Sequence, residues 1–285
     1  MKRSINAWSI EDKLNFEEMF RAVKEAGFES IELNVDKDDR SAHSITLDKG
    51  TDLGAVAGLS KKYALPVASI STSLGGGTGV PGEGWQKAHK VIRRQIECAK
   101  ALDAKFILSV PGGSGDDLSL QQGYKNNLEC YKKIGEEIAK SGVYVCLEQV
   151  WNGFFTSPFD MAKFIDDLEN PGIAAYFDAG NVLAFSWPQH WIEVLGKRIR
   201  AMHVKNFKRN GGLFRGGQWV DLEEGDADWR KIIPALKKAG FDGGNETTAC
   251  LTAETFIGES KVPGITYAGY YKSVSDALGR IISLA

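Results

Sequence analysis

The sequence predicts an α/β chain folded as a single (β/α)8 TIM barrel over residues 1–285. Three observations predict it. Short apolar runs alternate with longer amphipathic stretches from end to end, as repeated β/α units require. No shift in composition divides the 285 residues, a length slightly above the roughly 250 typical of such barrels. Lys-Glu-Ala-Gly-Phe at 24–28 and Lys-Lys-Ala-Gly-Phe at 237–241 repeat one phrase at two helix-to-strand junctions.

The expected strands are 3–8, 29–34, 66–71, 105–110, 143–148, 173–178, 200–205 and 249–254. They are short and rich in Ile, Val, Phe or Tyr, as buried parallel strands should be. Helices are expected over 16–26, 51–63, 86–102, 120–141, 157–168, 188–197, 227–239 and 266–282. In 120–141 a stripe of Leu120, Tyr124, Leu128, Tyr131, Ile134 and Ile138 recurs at helical spacing. Ser157-Pro158 supplies an N-cap with proline at the first helical position, and Gly27, Gly142 and Gly240 stand where C-terminal caps belong. The competing fold, an open doubly wound sheet, calls for G-x-G-x-x-G after strand one, and Trp8-Ser9-Ile10-Glu11 lacks it. Gly75-Gly76-Gly77-Thr78-Gly79 lacks the P-loop lysine and reads as a substrate loop or a solvated connection.

Composition narrows the function. A net charge of −2 argues against a nucleic-acid partner. No stretch reaches 18 apolar residues, and Met1 to Trp8 lacks a signal-peptide core, so the expectation is a cytoplasmic protein without a membrane partner. Cys98, Cys130, Cys146 and Cys250 are widely spaced and read as reduced, buried small hydrophobes.

Catalytic side chains of a barrel come from the C-terminal ends of several strands. Strand five ends in Glu148, strand six in Asp178 and strand eight in Glu254, while strand seven carries His203. Each alone has an ordinary reading: a loop solvator, a cap on Ala179-Gly180-Asn181, a core histidine. Together, on four successive strands, they point to one rim. Three carboxylates packed there repel one another, and a divalent cation removes that cost. One imidazole with three carboxylates suits Mn²⁺, Co²⁺ or Mg²⁺ better than Zn²⁺.

The segments Glu148, Tyr176-Phe177-Asp178-Ala179-Gly180-Asn181, Arg198 to Lys205, Glu224-Gly225-Asp226, Gly240-Phe241-Asp242-Gly243 and Leu251-Thr252-Ala253-Glu254 resemble the xylose isomerase-like barrel superfamily. Within it the chain resembles the sugar-phosphate isomerase/epimerase group, which includes ketose 3-epimerases, L-xylulose-5-phosphate 3-epimerase and hydroxypyruvate isomerase. The match covers about residues 140–260. The resemblance implies that Glu148, Asp178, His203 and Glu254 hold one metal ion. It also implies that Glu148 and Glu254 carry protons through a metal-stabilised enediolate. Return of the proton to the neighbouring carbon isomerises the sugar; return to the opposite face epimerises it. Two positions depart from the ketose 3-epimerase pattern: Phe154 replaces a glutamate and Asn181 a histidine. About six extra residues around Gly244 to Thr248 leave Glu246 as an alternative to Glu254.

Expected substrate contacts are Trp151, Asn152, Asn181, Lys205 and Arg209, with Trp8, Glu32, Asn34 and Ser109 as further wall residues. Lys205, Lys208, Arg209 and Arg215 lie among glycines after strand seven. They suit a phosphorylated sugar, or else form a solvated basic loop. The expected partner is thus a small sugar or sugar phosphate, with a homodimer possible. Two alternatives stand beside the isomerase: an inosose-type dehydratase on the same site, and a non-catalytic sugar-binding barrel.

Overall fold

The computed structural model describes residues 1–37, 40–48, 50–112, 115–243 and 247–284. Eight parallel strands close on themselves. They are β1 (Lys2–Asn6), β2 (Ser30–Asp36), β3 (Val67–Thr72), β4 (Phe106–Ser109), β5 (Tyr144–Glu148), β6 (Ile173–Asp178), β7 (Ile199–Val204) and β8 (Cys250–Ala253). Each pairs with its sequence neighbour, and β1 pairs with both β2 and β8, which completes the barrel. The short strand Ile45–Thr46 adds to the end of β2.

Side chains alternate across each strand, so one set points into the barrel and the other toward the helices. The outward set joins the helices in one large core that includes Phe20, Ile31, Leu147, Phe177, Trp191 and Leu251. The inward set forms a separate small cluster of Phe106, Leu108, Cys146, Ala174, Tyr176 and Ala201. All four cysteines are buried, as expected.

Helix ends follow local chemistry. Asn15 and Glu18 form a capping box at Phe16–Glu25, and Ser157 caps Pro158–Asp167. Gly27 and Gly240 both take positive φ, 92° and 82°, where the repeated Ala-Gly-Phe phrase turns out of a helix.

Three features depart from the sequence reading. The helix expected over 120–141 is two, Leu120–Lys133 and Gly135–Ser141, with Ile134 off helical geometry at φ −111° and ψ 11°. There the Asn170 amide donates to the Gly135 carbonyl at 2.7 Å, so a group from outside the helix occupies its backbone at the break. Leu120 is exposed at the start of that stripe. Trp8 does not end β1; it sits in the 3-10 turn Ala7–Ser9, where Asn6 Oδ1 accepts its backbone N–H at 2.7 Å. The basic segment after β7 is ordered as an antiparallel hairpin, Asn206–Arg209 against Gly217–Val220.

Candidate metal centre and substrate cavity

The ends of β5 to β8 bring Glu148, Asp178, His203 and Glu254 together. One ligand atom from each lies within 4.8 Å of all the others, and the group could hold a metal ion. Register places them. Asp178 is level with His203 across β6 and β7, and Thr252 is level with His203 across β7 and β8. Glu254 extends β8 by one residue, its N–H donating to Val204 O at 3.2 Å. The alternative, Glu246, lies outside the described residues.

Asp178 serves two ends at once. Its Oδ1 accepts the Asn181 N–H at 2.8 Å, capping the short helix Ala179–Leu183. Its buried Oδ2 has no well-formed hydrogen bond and meets only the Lys205 ammonium, as an ion pair at 2.9 Å. A buried carboxylate oxygen left in this way is what a metal ligand needs. The set of three carboxylates and one imidazole is an oxygen-rich donor set whose chemistry fits a divalent metal ion.

His203 is held from below. Its Nε2 lies 2.6 Å from Glu32 Oε2, and its Nδ1 faces Glu148 Oε1 at 3.0 Å and Glu254 Oε2 at 3.4 Å. Glu32 is fully buried and accepts from Tyr176 Oη at 2.5 Å, Ser69 Oγ at 2.7 Å and Asn6 Nδ2 at 2.5 Å. A carboxylate behind an imidazole fixes the ring's orientation, here with Nδ1 turned toward Glu148 and Glu254.

The charges are strongly coupled. Burial pushes the Glu148 carboxyl up to about 7, with Asp178 and Glu254 adding to the rise and His203 opposing it. Burial would raise Glu254 as well, but Lys205 and His203 outweigh it and hold that carboxyl below its ordinary value. Glu32 is lowered in the same way, His203 overcoming desolvation. Burial disfavours the His203 cation, yet Glu32, Glu254 and Glu148 prevail and raise it well above its ordinary value.

Lys205 follows on the His203 face of the chain, and its Nζ is 2.5 Å from Glu254 Oε2. Backbone packing sets its path: a Cβ on Gly180 would stand 2.3 Å from Lys205 Cγ, so only glycine lets the two segments approach. Above the charges opens a cavity of about 350 Å³, whose lining includes Trp8, Trp151, Asn181, Lys205 and Trp219 beside Glu148 and Glu254. Trp151 and Trp219 stack with centroids 5.1 Å apart, and Lys205 Nζ lies 5.3 Å from the Trp219 ring centroid. Trp8 is oriented by donating from Nε1 to Asp36 Oδ2 at 2.7 Å.

Of the residues expected to contact substrate, Trp151, Asn181 and Lys205 thus line the cavity. Asn152 is turned into the fold, donating to Pro111 O at 2.7 Å and accepting the Phe154 N–H at 3.1 Å. Arg209 pairs with Asp226 at 3.0 Å, as does Lys208 at 2.9 Å, so both cations are engaged by one carboxylate just beyond the hairpin. Phe154 packs among Tyr124, Phe155 and Phe164. Sequence reasoning missed Trp219, whose position depends on the hairpin, and missed that Glu32 lies under the histidine. The available signal was three acidic or amide residues at alternate positions, Glu32, Asn34 and Asp36, within an otherwise apolar strand.

Fold and site together define a TIM barrel with a buried carboxylate–histidine group at the C-terminal rim. The chain belongs to the xylose isomerase-like TIM barrel family, whose model matches residues 20–256. A search of curated proteins finds no match. Among solved structures it is similar to D-allulose 3-epimerase from Methylomonas sp., solved with D-allulose, at 15% identity and TM-score 0.75, covering 100% of this chain and 97% of that one. The IolI protein with a bound zinc atom is similar at 14% identity and TM-score 0.77, with 99% and 98% covered. A probable 3-DHS dehydratase, AsbF from Bacillus anthracis, is similar at 19% identity and TM-score 0.74, with 98% and 99% covered. Among the described residues no helix is long and apolar enough to cross a membrane.

Proposed function

We propose that this chain is a divalent-metal-dependent isomerase or epimerase of a small sugar or sugar phosphate. The observation that carries the reading is the pair Glu148 and Glu254. Both line one cavity of about 350 Å³ and approach the same imidazole nitrogen, His203 Nδ1, at 3.0 and 3.4 Å. The epimerase neighbours support it, since one was solved with its sugar.

Glu148, Asp178, His203 and Glu254 would hold the ion. When bound, the ion supplies Lewis-acid stabilisation of the charge that develops on the substrate oxygens. Glu254, held below its ordinary value, takes the proton next to the carbonyl, and Glu148, pushed up to about 7, is suited to hold a proton and give one back. Glu32 keeps the His203 ring from rotating. Trp8, Trp151 and Trp219 cover the apolar face of the sugar and exclude water. Asn181 and Lys205 offer hydrogen bonds to its hydroxyls. The phosphorylated option rests on Lys205 and Arg215, because Lys208 and Arg209 already pair with Asp226.

The test is solvent-deuterium exchange across ketoses and ketose phosphates with Mn²⁺, Co²⁺ and Mg²⁺ supplied. Incorporation at the carbon next to the carbonyl supports the reading, and none with any substrate refutes it. The dehydratase neighbour gives a second reading within the same assay, which loss of water from the product would establish.

A further inference from the structure

Lys205 occupies an unusual place, because its ammonium rests on two of the oxygens that the metal reading needs. It lies 2.9 Å from Asp178 Oδ2 and 2.5 Å from Glu254 Oε2. The other Asp178 oxygen is committed to the Asn181 N–H, so Oδ2 is the oxygen Asp178 has left to offer. Glu254 Oε2 is likewise the atom that approaches His203 Nδ1, at 3.4 Å. A divalent ion held by this group and the ammonium would therefore face each other across the same two oxygens. Like charges a few ångströms apart in a site this buried repel strongly.

The ammonium also has somewhere to go. It lies beside Trp219 on the wall of the cavity, at cation–π distance, and a lysine stem can swing its charge several ångströms at small cost. We propose that Lys205 is a built-in counter-ion that competes with the divalent metal for Asp178 and Glu254. Metal loading displaces it into the cavity, where it becomes a cation for a substrate oxygen. Without the metal the ammonium offsets the repulsion among the clustered carboxylates, and the substrate-binding cation is released only when the metal is in place. This inference rests on the metal reading above.

The test is Mn²⁺ titration by calorimetry on the metal-stripped full chain, wild type against Lys205→Met and Lys205→Gln, with thermal melts of each with and without Mn²⁺. The two variants are expected to bind Mn²⁺ more tightly than wild type, on the order of tenfold. They should also melt lower than wild type without metal and gain more from it, because the unpaired carboxylates are then satisfied by the ion. Glutamine keeps a polar group of similar reach, so one variant remains readable if methionine prevents folding. Mn²⁺ affinity in the variants that is equal to or weaker than wild type overturns the counter-ion role and leaves the metal reading standing. No Mn²⁺ binding by any of the three proteins removes the metal reading, and the inference falls with it.

Discussion

The first three strands and the next four furnish the barrel interior in opposite ways. From β1 to β3 the inward positions are Ser4, Asn6, Ser30, Glu32, Asn34, Ser69 and Ser71, all polar and all buried. From β4 to β7 they are Phe106, Leu108, Cys146, Ala174, Tyr176 and Ala201, and apart from the Tyr176 hydroxyl the polar groups gather toward the rim, at Glu148, Asp178 and His203. The apolar half is an ordinary packed core that ends in the carboxylate–histidine group. The polar half is a scaffold of hydrogen bonds, and its buried carboxylate Glu32 reaches across the barrel to hold His203. The desolvation cost of burying Glu32 is offset by four partners at once. One side presents the chemistry, and the other orients it.

The comparison breaks most visibly if the presenting half is cut. Asp178→Ala or His203→Ala is expected to lower Mn²⁺ affinity by more than the roughly 10–100-fold typical of losing an outer partner. Calorimetry reads the affinity, and deuterium exchange should fall to background. The orienting half is tested by Glu32→Gln. It keeps the shape but weakens the hold on Nε2, and a loss of roughly 10–100-fold in metal affinity is expected with the fold retained by circular dichroism. An effect of Glu32→Gln as large as that of His203→Ala would erase the distinction between the two halves.

A smaller effect concerns pH in the metal-free protein. Glu148 is raised from 4.5 to about 7 in the fold, so the folded state holds that proton more tightly than the unfolded chain. Its contribution is fully present below about pH 4.5 and is lost as pH rises toward about 7. His203, also raised, has the same sign, and its loss begins above its ordinary 6.5. Melting temperature should therefore fall between about pH 5 and 8, with a shallower slope in Glu148→Gln and after Mn²⁺ addition. A melting temperature that rises over this window would contradict the assignment. The smallest effect belongs to the hairpin wall. Trp219→Ala should raise KM several-fold with little change in kcat, roughly the 0.5–1.5 kcal/mol of one aromatic stacking contact.

Much of this was legible in the sequence. All eight barrel strands fall within two residues of their expected ends, because β4 to β8 are largely apolar runs and β1 to β3 alternate apolar with small or polar residues. The polar residues that terminate four of them marked Glu148, Asp178, His203 and Glu254, because a charge at the end of an apolar run has few cheap places to go. The break at Ile134 was not legible, since its carbonyl partner Asn170 lies 35 residues beyond Gly135.

By itself, then, the amino-acid sequence determined what is periodic and local: the alternation of strand and helix, their caps, and which strand ends carry carboxylates and an imidazole. Only the tertiary structure decided what crosses the barrel. Glu32 and His203 are 171 residues apart, and barrel closure alone brings them to 2.6 Å. Lys205 reaches Glu254 across 49 residues along a path that Gly180 leaves open. Trp219 reaches Trp151 only because the hairpin folds back over the rim. The physical reason is the same in each case: side-chain type is written residue by residue, whereas the partner of a buried charge is chosen by closure of the whole sheet.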